Sequence, residues 1–147
     1  MTRKFRFPLE PVLAHRERIE EEKQQALAAR TSELREAQRE LAHLDAEFRR
    51  YSAALRESHA DLSSDQLRAH YAHLEYLDRR IVMQHAAISA LASAVERARA
   101  ELVEARKDRK VIEKLKEQRL EAHRALLAAD EQKELDESNS RRYRSTA

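Results

Sequence analysis

Apolar residues return to the same phase every seven positions over most of this chain. Leu27, Leu34, Leu41, Phe48, Leu55 and Leu62 form one ladder; after a short polar break, Leu67, Leu74, Ile81, Ile88, Val95 and Leu102 form a second. A seven-residue apolar repeat marks a helix whose buried stripe faces another helix. The ladders mirror each other about the break, Leu62 against Leu67 and Leu27 against Leu102. Folded back at the break they cover one another. The pattern therefore predicts an all-α chain, a long antiparallel two-helix coiled coil or helical hairpin.

Spacing fixes the phase. With the first ladder at a, the d positions include Ala37, Leu44 and Tyr51, whereas the alternative phase would bury Gln38, Asp45 and Ser52. In the second helix the d positions are His70, Leu77, Gln84, Leu91, Ala98 and Ala105. The seam thus draws on Leu34, Leu41, Phe48 and Leu55 from the first helix, and on Leu77, Ile88, Leu91, Val95 and Leu102 from the second. Antiparallel coiled coils set a against d of the partner, so the literal mirror is not the pairing. The register lies about half a heptad to one side of it, and the sequence leaves the side open.

Pro8 and Pro11 confine helix onset to the first residues, because proline is tolerated in a first turn and not deeper. Arg3, Lys4, Phe5, Arg6 and Phe7 make a basic, aromatic arm ahead of it, with a frayed terminus as the bland alternative. The first helix is expected over about residues 9–59 and the turn over about 60–64. Ser63 with Gln66 reads as a capping box for the second helix. No glycine is present for a left-handed cap, so the first helix should end in a loose turn. The second helix is expected over about residues 65–137, within a single coiled-coil hairpin covering 1–140. Residues 138–147 read as a disordered basic tail.

These lengths have a consequence. At ~1.5 Å per residue the helices span about 70 and about 110 Å, so the second protrudes past the first as a C-terminal helix. The seam deteriorates toward the same end, where Glu20 interrupts the first ladder and Arg109 and Lys116 the second. Beyond it Val111, Ile112, Leu115, Ala122, Leu126 and Ala129 follow a shifted phase, an amphipathic stripe with no partner in the chain.

Composition narrows the class further. The chain has 147 residues with no Gly, Cys or Trp, 38% charged and 5% aromatic. This suits long helix and a thin seam rather than a core of strands and tight turns. Without cysteine there is neither a disulfide framework nor a thiolate metal site. No apolar run approaches the ~20 residues of a membrane span. The start, MTRKFRFPLEP, is basic but lacks a signal-peptide core, so a cytoplasmic protein is expected. With 29 basic and 27 acidic residues interleaved, the surface is a poor footprint for nucleic acid.

The chemistry of an enzyme is missing. No glycine loop can cradle phosphate. His70 and His73 could share a helix face, but no carboxylate completes a metal motif, and solvated or seam-edge histidine is the default. An extended hairpin offers no cavity to desolvate a carboxylate. The reading is therefore non-enzymatic, without cofactor, metal or small-molecule substrate. Surface remains: Tyr71 and Tyr76 lie off the seam positions, where packing explains them less well than contact with another protein.

Phe5-Arg-Phe-Pro-Leu-Glu-Pro-Val-Leu13 resembles the start of the flagellar export protein FliJ family. So do Ala105-Arg-Lys-Asp-Arg-Lys-Val-Ile-Glu-Lys-Leu115, Arg119-Leu-Glu and Glu131-Gln-Lys-Glu-Leu-Asp-Glu137, the distal stretches being the most specific. The resemblance implies a soluble component of the bacterial flagellar type III export apparatus, similar in fold to the rotor stalk of rotary ATP synthases. It implies three partners: the hexameric export ATPase, the cytoplasmic domain of the export gate and, in some members, export chaperones. The location it implies is cytoplasmic, peripheral to the inner membrane at the flagellar base. Carried over by position, the contact with the ATPase ring falls to Phe5, Phe7, Arg16, Arg106, Arg109, Lys110, Lys114, Leu115 and Arg119. The gate contact falls to Leu44, Tyr51, Leu74, Ile81 and His85. Glu47 and Asp78 depart from the family pattern there, standing where an aromatic and an aliphatic residue are expected. The alternatives are the equivalent stalk of a virulence type III secretion system and a self-associating structural coiled coil.

Overall fold

The computed structural model describes residues 4–146; Arg3, the first residue of the basic arm, and Ala147 lie outside the described residues. Two helices carry the chain, α1 (Glu10–Ser58) and α2 (Ser64–Thr146), joined by a single 3-10 turn at His59–Asp61.

Local chemistry sets each boundary. Phe7 precedes a proline, which disfavours helical backbone at Phe7 itself, and Pro8 and Leu9 form a turn. The Glu10 amide closes that turn by donating to the Phe7 carbonyl at 3.1 Å, and the Leu13 amide reaches the Leu9 carbonyl at 2.9 Å. Pro11 lies in the first turn of α1, where its missing N–H costs no intrahelical bond. At the far end α1 tightens into the 3-10 turn, after which Leu62 is extended with φ −100° and ψ 143°. Among the described residues none takes a positive φ, so this turn needs no glycine. The Ser63 amide donates to Gln66 Oε1 at 3.0 Å, and the Gln66 amide donates to Ser63 Oγ at 3.2 Å. That reciprocal pair is the capping box expected from the sequence.

The packing falls into two compact units. One, the turn unit, is Glu22–Val103; the other, the terminal unit, joins the residues up to Glu21 with those from Glu104 onward. In each, a stretch of α1 packs antiparallel against a stretch of α2.

In the turn unit Leu44 and Leu77 are the most deeply buried side chains, each 1% exposed, and Leu55, Val95, Ala98 and Leu102 are also buried. Burying a leucine contributes roughly 1.5–3 kcal/mol. Leu34, Leu41, Phe48, Ile88 and Leu91 are half-buried along the same seam. The structure decides the side to which the register shifts. The mirror partner of Glu40 is Ser89, yet Glu40 pairs with Arg80 at 3.3 Å. The mirror partner of Tyr51 is Asp78, yet Tyr51 meets His70 and His73. Each observed partner lies N-terminal to the mirror position on α2. Gln84, a polar residue at a seam position, donates to the Ala37 carbonyl at 2.8 Å. A polar group in a seam favours the one alignment that satisfies it, so Gln84 helps to hold this register.

In the terminal unit Phe7, Leu13 and Ala105 are buried, and Ile19, Leu115 and Leu120 are half-buried. Here α2 departs from the sequence expectation. It continues to Thr146 rather than ending near Glu137, so the residues expected to form a disordered tail are helical through Thr146. Nothing in 138–146 forbids helix, since the stretch has neither proline nor glycine. Arg141, Arg142 and Arg144 suit the negative end of the helix dipole. The hydroxyls of Ser145 and Thr146 donate to the Arg142 carbonyl, each at 3.1 Å, occupying an acceptor that the helix end leaves unpaired. From Ala128 to Thr146 every residue is exposed.

Candidate functional site: two contact faces

The terminal unit contains the residues expected to meet an ATPase ring, and three of them, Arg16, Arg106 and Arg109, are tied into an ionic seam. Glu20 of α1 pairs with Arg109 and, at 3.5 Å, with Arg106; Arg109 also pairs with Glu113 one turn on. Arg16 meets Asp108 at 3.4 Å and Lys116 meets Glu10 at 2.8 Å. The three charges that break the leucine ladders, Glu20, Arg109 and Lys116, are thus bound across the helices where leucine gives out. The hydrogen bond to Glu20 raises Arg109 above the ordinary guanidinium value; the charges of Glu20 and Glu113 act in the same direction, against the lowering effect of burial. With side chains 22% and 16% exposed, Arg109 and Glu20 are partly withdrawn from water and screened less than a surface pair.

The aromatic arm is docked. The Phe5 ring lies 5.6 Å from that of His123. The Arg119 guanidinium sits 5.8 Å from the centre of the buried Phe7 ring. Lys110 and Lys114, one helical turn apart, are exposed. Phe5, Phe7 and Arg119 are therefore brought together. Arg16, Arg106 and Arg109 line the junction between helices, and Lys110 and Lys114 point away from it. Leu115 is half-buried.

The second face belongs to the turn unit. Tyr51, at a seam position, hydrogen-bonds through its hydroxyl to His70 Nδ1 and lies 4.6 Å, ring centre to ring centre, from His73. His73 in turn lies 6.1 Å from Tyr76, and the Arg80 guanidinium lies 5.9 Å from the Tyr76 ring. The histidines thus serve the seam and its aromatic edge. Among the described residues no group of three His, Asp or Glu side chains could hold a metal ion. A cleft of about 80 Å³ lined by Tyr51, Ala54, Leu55, Ser58 and His70 is smaller than the few hundred Å³ a drug-sized ligand occupies.

Of the residues expected at a gate contact, His85 is exposed, while Tyr51, Leu74 and Ile81 are half-buried. Leu44 is sealed in the seam and offers no surface for such a contact. The sequence reading missed three features. Glu20 and Arg109 stand at mirrored ladder positions with opposite charge, a signal of pairing that was available. Gln84 was visible as a polar residue at d. His123 lies under Phe5, and nothing in the sequence pattern pointed to that contact.

The model of the flagellar FliJ protein family matches residues 5–147. The chain belongs to the FliJ family. It is accordingly a protein of type III export, built from two long helices packed against each other. A FliJ-family match over this span includes both the docked arm and the distal helix. Among solved structures, a Chlamydia trachomatis protein described as a YscO homolog is 25% identical to this chain. That similarity covers 93% of this chain and 94% of the other with a TM-score of 0.46. No curated protein matches the chain. Among the described residues, no helix of this FliJ-family member is long and apolar enough to cross a membrane.

Proposed function

We propose that this chain is the non-enzymatic stalk of a flagellar type III export apparatus, coupling the hexameric export ATPase to the cytoplasmic domain of the export gate. It works peripherally at the cytoplasmic face of the inner membrane, at the flagellar base, and hands export chaperones back for reuse. The observation that carries this reading is the distal part of α2. In a chain of an export family, α2 runs on past its last half-buried residue, Leu127, as exposed helix to Thr146. A single helix bearing Leu126, Leu135 and Tyr143 on its exposed surface suits insertion into a ring that surrounds it.

The terminal unit supplies the ring contact, through exposed Lys110 and Lys114 and through Arg106 and Arg119. The turn unit supplies the gate contact through Tyr51, Leu74, Ile81 and His85, backed by Leu44. Coupling is mechanical and allosteric. A helix that meets ring subunits unequally biases their nucleotide states, and ring subunits in different states grip the helix unequally in return.

Purified protein added to its cognate export ATPase should raise both the ATPase rate and the hexamer fraction. An unchanged rate at saturating stalk contradicts the proposal.

A further inference from the structure

The N-terminal arm touches α2 at Arg119, a residue of the proposed ring contact, and close by. Phe5 lies against His123, Phe7 is buried with Arg119 over its ring, and one turn earlier Glu10 holds Lys116. Residues 4–7 have no regular secondary structure and are followed by the turn at Pro8 and Leu9. The arm is therefore held to α2 by side chains rather than by a backbone ladder, and its grip is thin. Lys4, Arg6 and Pro8 are exposed, Phe5 and Leu9 are half-buried, and Phe7 is buried. Lifting the arm leaves α1 free to begin at Glu10, since Pro8 and Leu9 already turn the chain away from the helix.

An Arg119 guanidinium engaged with Phe7 cannot offer the same face to an incoming surface. A partner approaching α2 near residues 116–123 meets the arm first. The geometry points to the arm as an autoinhibitory strap. With Phe5 and Phe7 seated on His123 and Arg119, the free chain covers the Arg119 part of its own ring-contact face, and ring binding displaces residues 4–9. This inference rests on the stalk reading given above and adds the regulation of that contact. The face left behind on α2 carries half-buried Leu115, Leu120 and His123 and the cation Arg119, so it fits an apolar partner surface bearing carboxylates.

The chain has no cysteine, so a pair introduced as Phe5→Cys with His123→Cys is unique. Joining the pair with a short bis-maleimide fixes the strap; capping the same protein with N-ethylmaleimide leaves it free. Binding to the cognate export ATPase should be roughly tenfold or more weaker for the joined protein than for the capped one, a factor of ten being 1.4 kcal/mol. Phe7→Ala, which loosens the strap without any label, should bind more tightly than the unmodified chain. Equal affinity of joined and capped protein, or weaker binding by Phe7→Ala, overturns the strap while the stalk reading stands. Failure of the unmodified chain to bind overturns the stalk reading, and the strap with it.

Discussion

Glu20 and Arg109, charged residues at mirrored positions where the two leucine ladders fail, form an ion pair with each other across the helices of the terminal unit. The ladders do not fade into solvent at this point. Within this unit the ion pairs, Glu10 with Lys116 among them, stand beside the apolar contacts of Phe7, Leu13 and Ala105.

That exchange can be tested by substitution. A half-buried charge that loses its partner costs stability, whereas replacing both charges with apolar residues of similar volume is often neutral or stabilising. Glu20→Leu alone should lower stability by about 1–2 kcal/mol, and Glu20→Leu with Arg109→Leu should restore or exceed the parent value in urea unfolding. The pair should also respond to salt. Raising ionic strength should speed amide exchange in residues 10–20 and 106–116 while leaving 48–55 unchanged. Base offers no comparable test. Arg109 is raised in the folded protein, so its contribution is complete below the ordinary guanidinium value and is lost only as pH rises through the higher folded one,.

Leu44 separates a supporting role from a contact role. At 1% exposure, Leu44→Ala should cost about 2–5 kcal/mol of stability. Val82→Ala, at a side chain 62% exposed, should stay within about 0.5 kcal/mol. Thermal melting followed by circular dichroism ranks the two. Equal melting temperatures would contradict the seam.

Tyr51→Phe removes the hydroxyl that meets His70 Nδ1 and keeps the ring against His73. Its expected cost is about 0.5–1.5 kcal/mol, that of one intramolecular hydrogen bond. Tyr51→Ala, which also removes the ring, should cost more by urea unfolding.

The register has its own test. Cysteines at Glu40 and Arg80 should form a cross-link through a short linker, because the native side chains meet at 3.3 Å. Cysteines at Glu40 and Ser89, the mirrored pair, should not, since the second site lies about 13 Å further along α2 at ~1.5 Å per residue. Cross-linking of the mirrored pair in preference would contradict the register.

Much of this was readable before the structure. The ladders placed Leu55, Leu77, Val95 and Leu102 in the seam, and Ser63 with Gln66 announced the start of α2 through a cap that depends only on neighbouring residues. The direction of the register shift was not readable. A heptad repeat looks the same after a slip in either direction, and only three-dimensional contacts such as Gln84 with Ala37 break the tie. Ser138-Asn-Ser suggested an end to α2, but without proline or glycine nothing forces one, and the helix runs on. Phe7 could equally have belonged to a frayed terminus; the Arg119 guanidinium that meets its ring is more than a hundred residues away in sequence.

Photo-cross-linking tests the stalk most directly. Benzoylphenylalanine placed at Leu126 or Leu135, both exposed on the distal part of α2, should capture the export ATPase on irradiation of the assembled complex. The same probe at Arg56 or Arg68, on either side of the turn, should not. Capture of the ATPase from Arg56 or Arg68, with none from Leu126 or Leu135, would contradict the account.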